Sequence, residues 1–270
     1  MSPPIKSATR QRGFTLIELV IAMAIMGVVS VFSIKFITNS VGIYQQGKDR
    51  EQLMSDIRFG IERLNREVRN AVPGSLRIED TDANEQTTSG ACVRFWPIDT
   101  ARRYKNIVLG SSETTVIIPD HELTIKIDDA WIIISPLGLD SSTQLCPDND
   151  CAVAIASGSV DDTDPSQRKF SFPEKPQFSL VSTKRVFFAK NQVRYCITPQ
   201  AWLTRSQTDI GSNFSSAVLM AEHISAGNFS KGSNEGEDAD LYSQLTFDLT
   251  ASKNNEAISF SHKIRLYNAP

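Results

Sequence analysis

The chain has 270 residues, of which 40% are hydrophobic and 22% charged, so it can bury a core and is not a wholly disordered polypeptide. Its formal net charge of −3 gives no bulk attraction for nucleic acid, which argues against a nucleic-acid-binding protein. The slightly negative mean hydropathy excludes a polytopic membrane protein, although an average over the chain can conceal one apolar segment.

Such a segment lies close to the N-terminus. From Phe14 to Phe32 the sequence is FTLIELVIAMAIMGVVSVF, with Glu18 as its only charge. About 20 apolar residues cross a hydrocarbon core of roughly 30 Å when they form a helix. The basic residues Lys6, Arg10 and Arg12 precede the segment without any acid. The positive-inside rule therefore predicts a single membrane span, with a cytoplasmic N-terminus and the rest of the chain exported.

Other interpretations of the segment explain less. A cleavable secretory signal has a shorter apolar core followed by small residues, and residues 33–37, SIKFI, form a poor site of that kind. A buried helix of a soluble protein is the weakest alternative. A simple signal anchor leaves Glu18 unexplained, because a carboxylate inside a bilayer costs about 2.5 to 3.5 kcal/mol on insertion scales.

The residues Gly13-Phe14-Thr15-Leu16-Ile17-Glu18, taken together, resemble the type IV prepilin signal. The resemblance implies that a prepilin peptidase cuts after Gly13 on the cytoplasmic side and that Phe14 becomes the methylated amino terminus. It also implies that Glu18 is the assembly carboxylate. A carboxylate four residues from a new ammonium group can neutralise the ammonium of a neighbouring subunit when two apolar helices pack together.

A second helical pattern follows the span. Apolar residues recur at spacings of three and four from Leu53 to Val72 with charges between them, and Pro73-Gly74 predicts the stop. Glu62 and Arg66 are spaced for an ion pair along this helix. The predicted segments are a leader at 1–13, a transmembrane or filament-core half-helix at 14–37, an amphipathic half-helix at 38–72 and a globular β-rich head at 73–270.

After Pro73 the pattern changes to short β-rich runs between polar clusters, which predicts strands. The predicted strands lie at 93–98, 106–109, 114–118, 123–127, 131–134, 186–189, 193–197, 245–249 and 258–266. Residues 190–192 are a plausible hairpin connection, and the last two strands alternate apolar and polar residues. We therefore expect an α+β fold, in which the long N-terminal helix packs on a mainly antiparallel sheet.

Polar or acidic loops are predicted at 80–90, 137–168 and 225–239. Their acids could ligate a hard cation such as calcium, but no D-x-[DN]-x-[DN]-G loop with a closing Glu is present, so neither a metal nor any other cofactor is predicted. The usual nucleophile, zinc and phosphate motifs are also missing, and we expect a protein that is not an enzyme.

The four cysteines belong to a chain exported to an oxidising compartment, which favours disulfides over thiols or zinc. Three pairings are possible. The short spacing of Cys146 and Cys151 favours a local bridge between them, which leaves Cys92 and Cys196 to join two strands.

Further sequence stretches narrow the resemblance to the minor pilins of the mannose-sensitive haemagglutinin (MSHA) pilus. They are Ser40–Tyr44, Ile61–Pro73, Cys92–Ile98, Val186–Phe188 and Val193–Cys196. More loosely, the chain is similar to the J-type minor pseudopilins of type II secretion systems and to the W-type minor pilins of twitching pili.

This resemblance implies a pilin-like fold and a low-abundance subunit of a priming or tip complex that initiates fibre assembly. The implied partners are the prepilin peptidase, other minor pilins, the major pilin and the inner-membrane assembly platform. The implied location is the inner membrane with a periplasmic head, or the pilus tip. A minor pseudopilin of a type II secretion system and a surface-binding tip adhesin remain alternatives.

Overall fold

The computed structural model describes residues 13–86, 88–109, 114–119, 130–134, 154–155, 159–161, 168–172, 184–231, 244–254 and 256–266. Several predicted features lie outside these ranges. They are the leader before Gly13, the strand at 123–127, the Cys146 and Cys151 pair, and most acids of the two later loops.

One α-helix, α1, extends from Leu16 to Arg69. The chain divides into two compact units, one up to Asp49 and one from Arg50 onward, and α1 contributes to both. The helix ends before the predicted Val72 because the following residues pair with another segment. Ala71 forms an antiparallel bridge with Pro97, and the Val72 N–H donates to the Trp96 carbonyl at 2.8 Å.

Beyond the helix, the described chain consists of strands and their connections. The strands are β1 (Arg77–Glu79), β2 (Glu85–Gln86), β3 (Ser89–Gly90), β4 (Cys92–Phe95), β5 (Thr100–Arg103), β6 (Asn106–Leu109), β7 (Thr114–Ile118), β8 (Trp131–Ile134) and β9 (Ala154–Ile155). They continue with β10 (Ser159–Asp161), β11 (Arg168–Phe172), β12 (Arg185–Ala189), β13 (Asn191–Ile197), β14 (Leu203–Asp209), β15 (Ala217–Ala221), β16 (Ile224–Lys231), β17 (Gln244–Lys253) and β18 (Glu256–Arg265).

The strands described form a six-stranded sheet in the order β15-β14-β13-β4-β1-β2 and three four-stranded sheets. The smaller sheets have the orders β10-β11-β7-β6, β5-β12-β8-β9 and β18-β17-β16-β3. Every pairing between these strands is antiparallel. The predicted α+β class is confirmed.

The largest hydrophobic core joins the second half of α1 to two sheets. Tyr195 of the six-stranded sheet and Phe247 of the last sheet belong to it and are fully buried. The buried positions of α1 are Leu53, Ile57, Gly60, Leu64 and Val68. Because these positions recur every three or four residues, one stripe of the helix covers the sheets, as its amphipathic pattern predicts.

Two smaller cores lie among the other strands that the structure describes. Phe170 and Phe188 pack in one of them with ring centroids 5.6 Å apart. Trp96 and Trp131 pack in the other at 6.3 Å. These two tryptophans therefore serve packing within the head.

The structure corrects several local predictions. The loop predicted at 80–90 contains the short strands β2 and β3, and the loop predicted at 137–168 contains β9 and β10. Residues 190–192 do not connect a hairpin, because β12 pairs with β5 and β8 whereas β13 pairs with β4 and β14. The chain changes sheets at Lys190, whose N–H donates to Asp99 Oδ2 at 2.8 Å. The loop predicted from Ser225 begins instead as β16, which is paired with β17 along its length. The predicted hairpin of the last two strands is confirmed by the pairing of β17 with β18.

Candidate processing and assembly site

The first turn of α1 leaves the predicted cleavage point outside the helix. Gly13, Phe14 and Thr15 precede the helix, which begins at Leu16. Phe14 is 81% exposed, and a side chain built at Gly13 would meet open space. The Gly13–Phe14 peptide bond is therefore accessible and free of helical hydrogen bonds.

Thr15 caps the helix. Its Oγ1 accepts the Glu18 N–H at 3.3 Å, and its carbonyl accepts the Leu19 N–H at 3.3 Å. The spacing of Thr15 and Glu18 is that of a capping box, in which a threonine and a glutamate three residues later satisfy the free donors of a helix N-terminus. The sequence between the cleavage point and the acid thus also fixes where the helix starts.

Glu18 lies in the first turn of the helix with its side chain exposed. A carboxylate in the first turn is favoured by the partial positive charge of the helix N-terminus. Among the described residues of this chain, none forms an ion pair with Glu18. The geometry therefore presents an acid at the surface of an apolar helix, where a second chain can reach it.

The helix around Glu18 exposes its apolar residues on every side. From Phe14 to Tyr44 its large apolar side chains are between 49% and 82% exposed. The hydroxyl groups within this stretch are satisfied locally: Ser30 Oγ donates to the Met26 carbonyl at 2.7 Å and Ser40 Oγ to the Phe36 carbonyl at 2.8 Å. By length and composition α1 can cross a membrane. Such a surface requires lipid or other helices around it.

Comparison with known families identifies this same segment. The family model of the prokaryotic N-terminal methylation motif matches residues 8–34. The chain carries a type IV pilin-like prepilin signal. The match includes Gly13, Phe14 and Glu18, and the motif implies prepilin peptidase processing and membrane association. The signal and the one apolar N-terminal helix fit a single-pass membrane-anchored protein. No curated protein and no solved structure matches the chain.

A second polar centre joins α1 to the six-stranded sheet, and the sequence did not predict it. The Glu67 carboxylate accepts hydrogen bonds from Tyr195 Oη at 3.0 Å, from Arg205 Nε at 2.9 Å and from Arg63 Nε at 3.0 Å. Burial, and next the charge of Glu67, raise the pKa of Tyr195 well above its ordinary range. We call these four residues the Glu67 cluster.

The only signal for this cluster in the sequence is the spacing of Arg63 and Glu67 along the helix. The predicted ion pair of Glu62 and Arg66 is not formed, although the structure describes both residues. The ion pair that the structure shows, Arg63 with Glu67, is shifted by one position along the helix, and its acid faces the sheet. Its strand partners are distant in sequence, so no local pattern identifies them.

A third polar centre lies on the opposite face of the same sheet. The carboxylate of Glu79, only 1% exposed, contacts Arg94 Nε at 2.6 Å and Arg194 Nε at 3.0 Å. Arg194 Nη2 also donates to the Asp80 carbonyl at 2.7 Å. Hydrogen bonds from Asn84 lower the pKa of the Asp80 carboxyl group. The charges of Glu79, Arg94 and Arg194 compensate one another within the sheet, which is consistent with a structural role for this centre.

The Cys92–Cys196 disulfide is present. It joins adjacent strands β4 and β13, with Cα atoms 4.1 Å apart, and both half-cystines lie directly opposite each other in the ladder. Its presence agrees with an oxidising compartment. The proposed Cys146–Cys151 bridge lies outside the described residues and stays a prediction.

The described residues hold no group of three or more potential metal ligands. The histidines that are described lie apart: His223 precedes β16, and His262 contacts the Phe247 ring at 5.6 Å on β18. His262 lies on the same face of β18 as the buried Ile258 and Ile264 but is itself exposed.

Proposed function

We propose that this chain is a minor pilin or pseudopilin, a subunit that enters a helical fibre through its N-terminal helix after cleavage between Gly13 and Phe14. The observation that carries the proposal is the pairing of an accessible Gly13–Phe14 bond with an apolar helix that is exposed on all sides and bears one acid, Glu18. A membrane anchor alone explains the apolar surface but not the acid.

The proposed role of Glu18 is electrostatic. Cleavage creates an ammonium group at Phe14, and helices that pack side by side can bring that group to the Glu18 carboxylate of a neighbour. The attraction between the two charges then compensates for the hydration that each charge loses in an apolar environment. The partners in this step are the other pilin-type subunits, and the inner-membrane assembly platform moves the chains into the fibre.

At the finer level, we propose that the fibre is an MSHA-type pilus and that the chain resembles its MshO subunit, within a priming or tip complex. The basis is the similarity of the stretches at 40–44, 61–73, 92–98, 186–188 and 193–196. The proposal makes the chain a structural subunit and assigns it no enzymatic activity. Its head would lie in the periplasm until the fibre is assembled.

The test uses N-terminal sequencing and the mutation Glu18→Ala in the full chain, in cells that assemble the fibre. We expect the mature chain to begin at Phe14. We also expect Glu18→Ala to be inserted and cleaved normally but to be depleted at least about tenfold from the sheared fibre fraction, since one charge pair is lost in an apolar setting.

The matched control is Glu51→Ala, which removes an exposed acid of the same helix outside the apolar stretch. It should be incorporated normally. A mature chain that still begins at Met1, or Glu18→Ala incorporated like the unchanged protein, would contradict the proposal. If cells that carry Glu18→Ala lose protein secretion but keep their pili, the result would favour the alternative function in a type II secretion system.

A further inference from the structure

The six-stranded sheet ends on one side at β15, and none of the described strands pairs with the outer edge of β15. This strand consists of Ala217-Val218-Leu219-Met220-Ala221 and has no charged residue. Val218 is 60% exposed and Leu219 is 44% exposed. An open edge with apolar side chains offers both main-chain hydrogen bonds and apolar surface to another strand.

The hydrogen bonds of the neighbouring strand define which main-chain groups are free. The Thr198 N–H donates to the Trp202 carbonyl, so the alternation of an antiparallel ladder turns the peptide groups of Arg205 away from β13 and toward β15. Val218 lies opposite Arg205 and pairs with it. The next residue, Leu219, therefore directs its N–H and C=O outward.

The exposed side chains lie on both faces of the sheet. Val218 shares the face of Arg205, whose side chain binds Glu67 of α1. Leu219 lies opposite Thr204, on the other face. A strand added to this edge would therefore cover Val218 and Leu219 at once, one on each side.

The other long edge in the described chain is different. The strand β18 forms one side of its sheet and carries exposed Lys263 and Arg265. Charged side chains on an edge strand prevent unwanted pairing. The edge of β15 lacks this protection, and the charge nearest to it along the chain is the exposed Glu222, which follows the strand directly.

We propose that the outer edge of β15 binds one extended segment of a different fibre subunit, which adds as an antiparallel seventh strand. This proposal rests on the proposed function. The segment has uncharged residues with apolar side chains facing Val218 and Leu219. Because an antiparallel strand begins beside the end of β15, a Lys or Arg precedes the segment and faces Glu222.

The test compares full-length variants in cells that assemble the fibre. Leu219→Pro removes the outward N–H, a change that a free edge tolerates in the folded chain. Leu219→Lys introduces the type of charge that protects β18. We expect both variants to be processed and to form the Cys92–Cys196 disulfide, yet to be depleted at least about tenfold from sheared fibres.

Ser261→Pro is the matched control on the protected edge. The Ser252 N–H donates to His223, so Asp248 of β17 turns toward β16 and its opposite residue, Ser261, turns outward. This variant loses an outward N–H of the same kind and should be incorporated like the unchanged chain.

A photoreactive p-benzoylphenylalanine at position 219 identifies the occupant. We expect its cross-link to map to an extended, uncharged segment of another pilin-type subunit. A cross-link to a second copy of this chain, or to a helix, would overturn the proposal, as would normal incorporation of both Leu219 variants. If the unchanged chain never reaches the fibres, the proposed function itself fails, which is a distinct result.

Discussion

The Glu67 cluster predicts that one substitution of nearly unchanged size markedly lowers the stability of the folded protein. Replacing Glu67 with Gln keeps the size of the side chain but removes the charge that Arg205, Arg63 and Tyr195 share. The side chain of Arg205 is 12% exposed and that of Glu67 is 16% exposed, so water can replace the lost contacts only in part. Hydrogen bonds to charged groups contribute about 1.5 to 3 kcal/mol each, and the remaining guanidinium groups retain some hydration.

We therefore expect Glu67→Gln to lower the free energy of unfolding by about 2 to 3 kcal/mol, which corresponds to a fall in Tm of roughly 4 to 12 °C for a unit of this size. The assay is urea or thermal unfolding of the detergent-solubilised full chain, followed by tryptophan fluorescence. All three tryptophans lie in the β-rich part of the sequence, so the signal reports the head and not the apolar half of α1.

The matched control is Glu62→Gln, an exposed acid on the same helix, which should change the free energy of unfolding by less than about 0.5 kcal/mol. Equal stability of the two variants would refute the reasoning, because it would mean that the Glu67 carboxylate is effectively hydrated in the folded protein. A double-mutant cycle with Tyr195→Phe then gives the coupling between helix and strand.

Three further predictions concern the head. The raised pKa of Tyr195 means that the folded state holds this proton more tightly than the unfolded chain, so stability should fall as the pH rises above about 10, and Tyr195→Phe should abolish that part of the fall in alkaline unfolding curves. The Cys92→Ser/Cys196→Ser variant opens a cross-link spanning 104 residues and should lose about 4 to 5 kcal/mol in the chain-entropy description, measured against the unchanged protein in urea, and an unchanged midpoint would contradict it. A side chain at Gly90 would collide with the Glu79 carbonyl, so Gly90→Ala should destabilise the head by about 1 to 3 kcal/mol, whereas Gly47→Ala, which meets open space, should not lower its Tm.

The sequence predicted the parts of the fold that depend on local patterns. The spacing of apolar residues defines α1 and its buried stripe, because a helix repeats every 3.6 residues whatever it packs against. Alternation likewise predicted the β17–β18 hairpin, in which Leu245 and Phe247 are fully buried. The processing signal is equally local, since Gly13, Phe14 and Glu18 lie within one short segment.

Strand partners and long-range contacts could not be predicted in this way. The short connection at Lys190 is compatible with a hairpin, but Val186 and its neighbours are buried against β5 and β8, and that packing directs β12 to a different sheet from β13. Gly60 has no side chain and was absent from the predicted stripe, yet it is buried. The sheet approaches the helix so closely at this point that a Cβ atom on Gly60 would lie 3.1 Å from Leu203 Cδ2.

The sequence by itself therefore identified the apolar helix that can span a membrane, the prepilin-type signal at its start and the acid that lies within it, because these features depend on residues next to one another. Only the tertiary structure decided how the head is joined to the helix. Glu67, Tyr195 and Arg205 come from separate elements, and their charges compensate one another only once the sheet brings them within 3 Å or so of each other. The same holds for the edge of β15, because which of the described strands lies at an edge depends on how strands that are distant in sequence pair with one another.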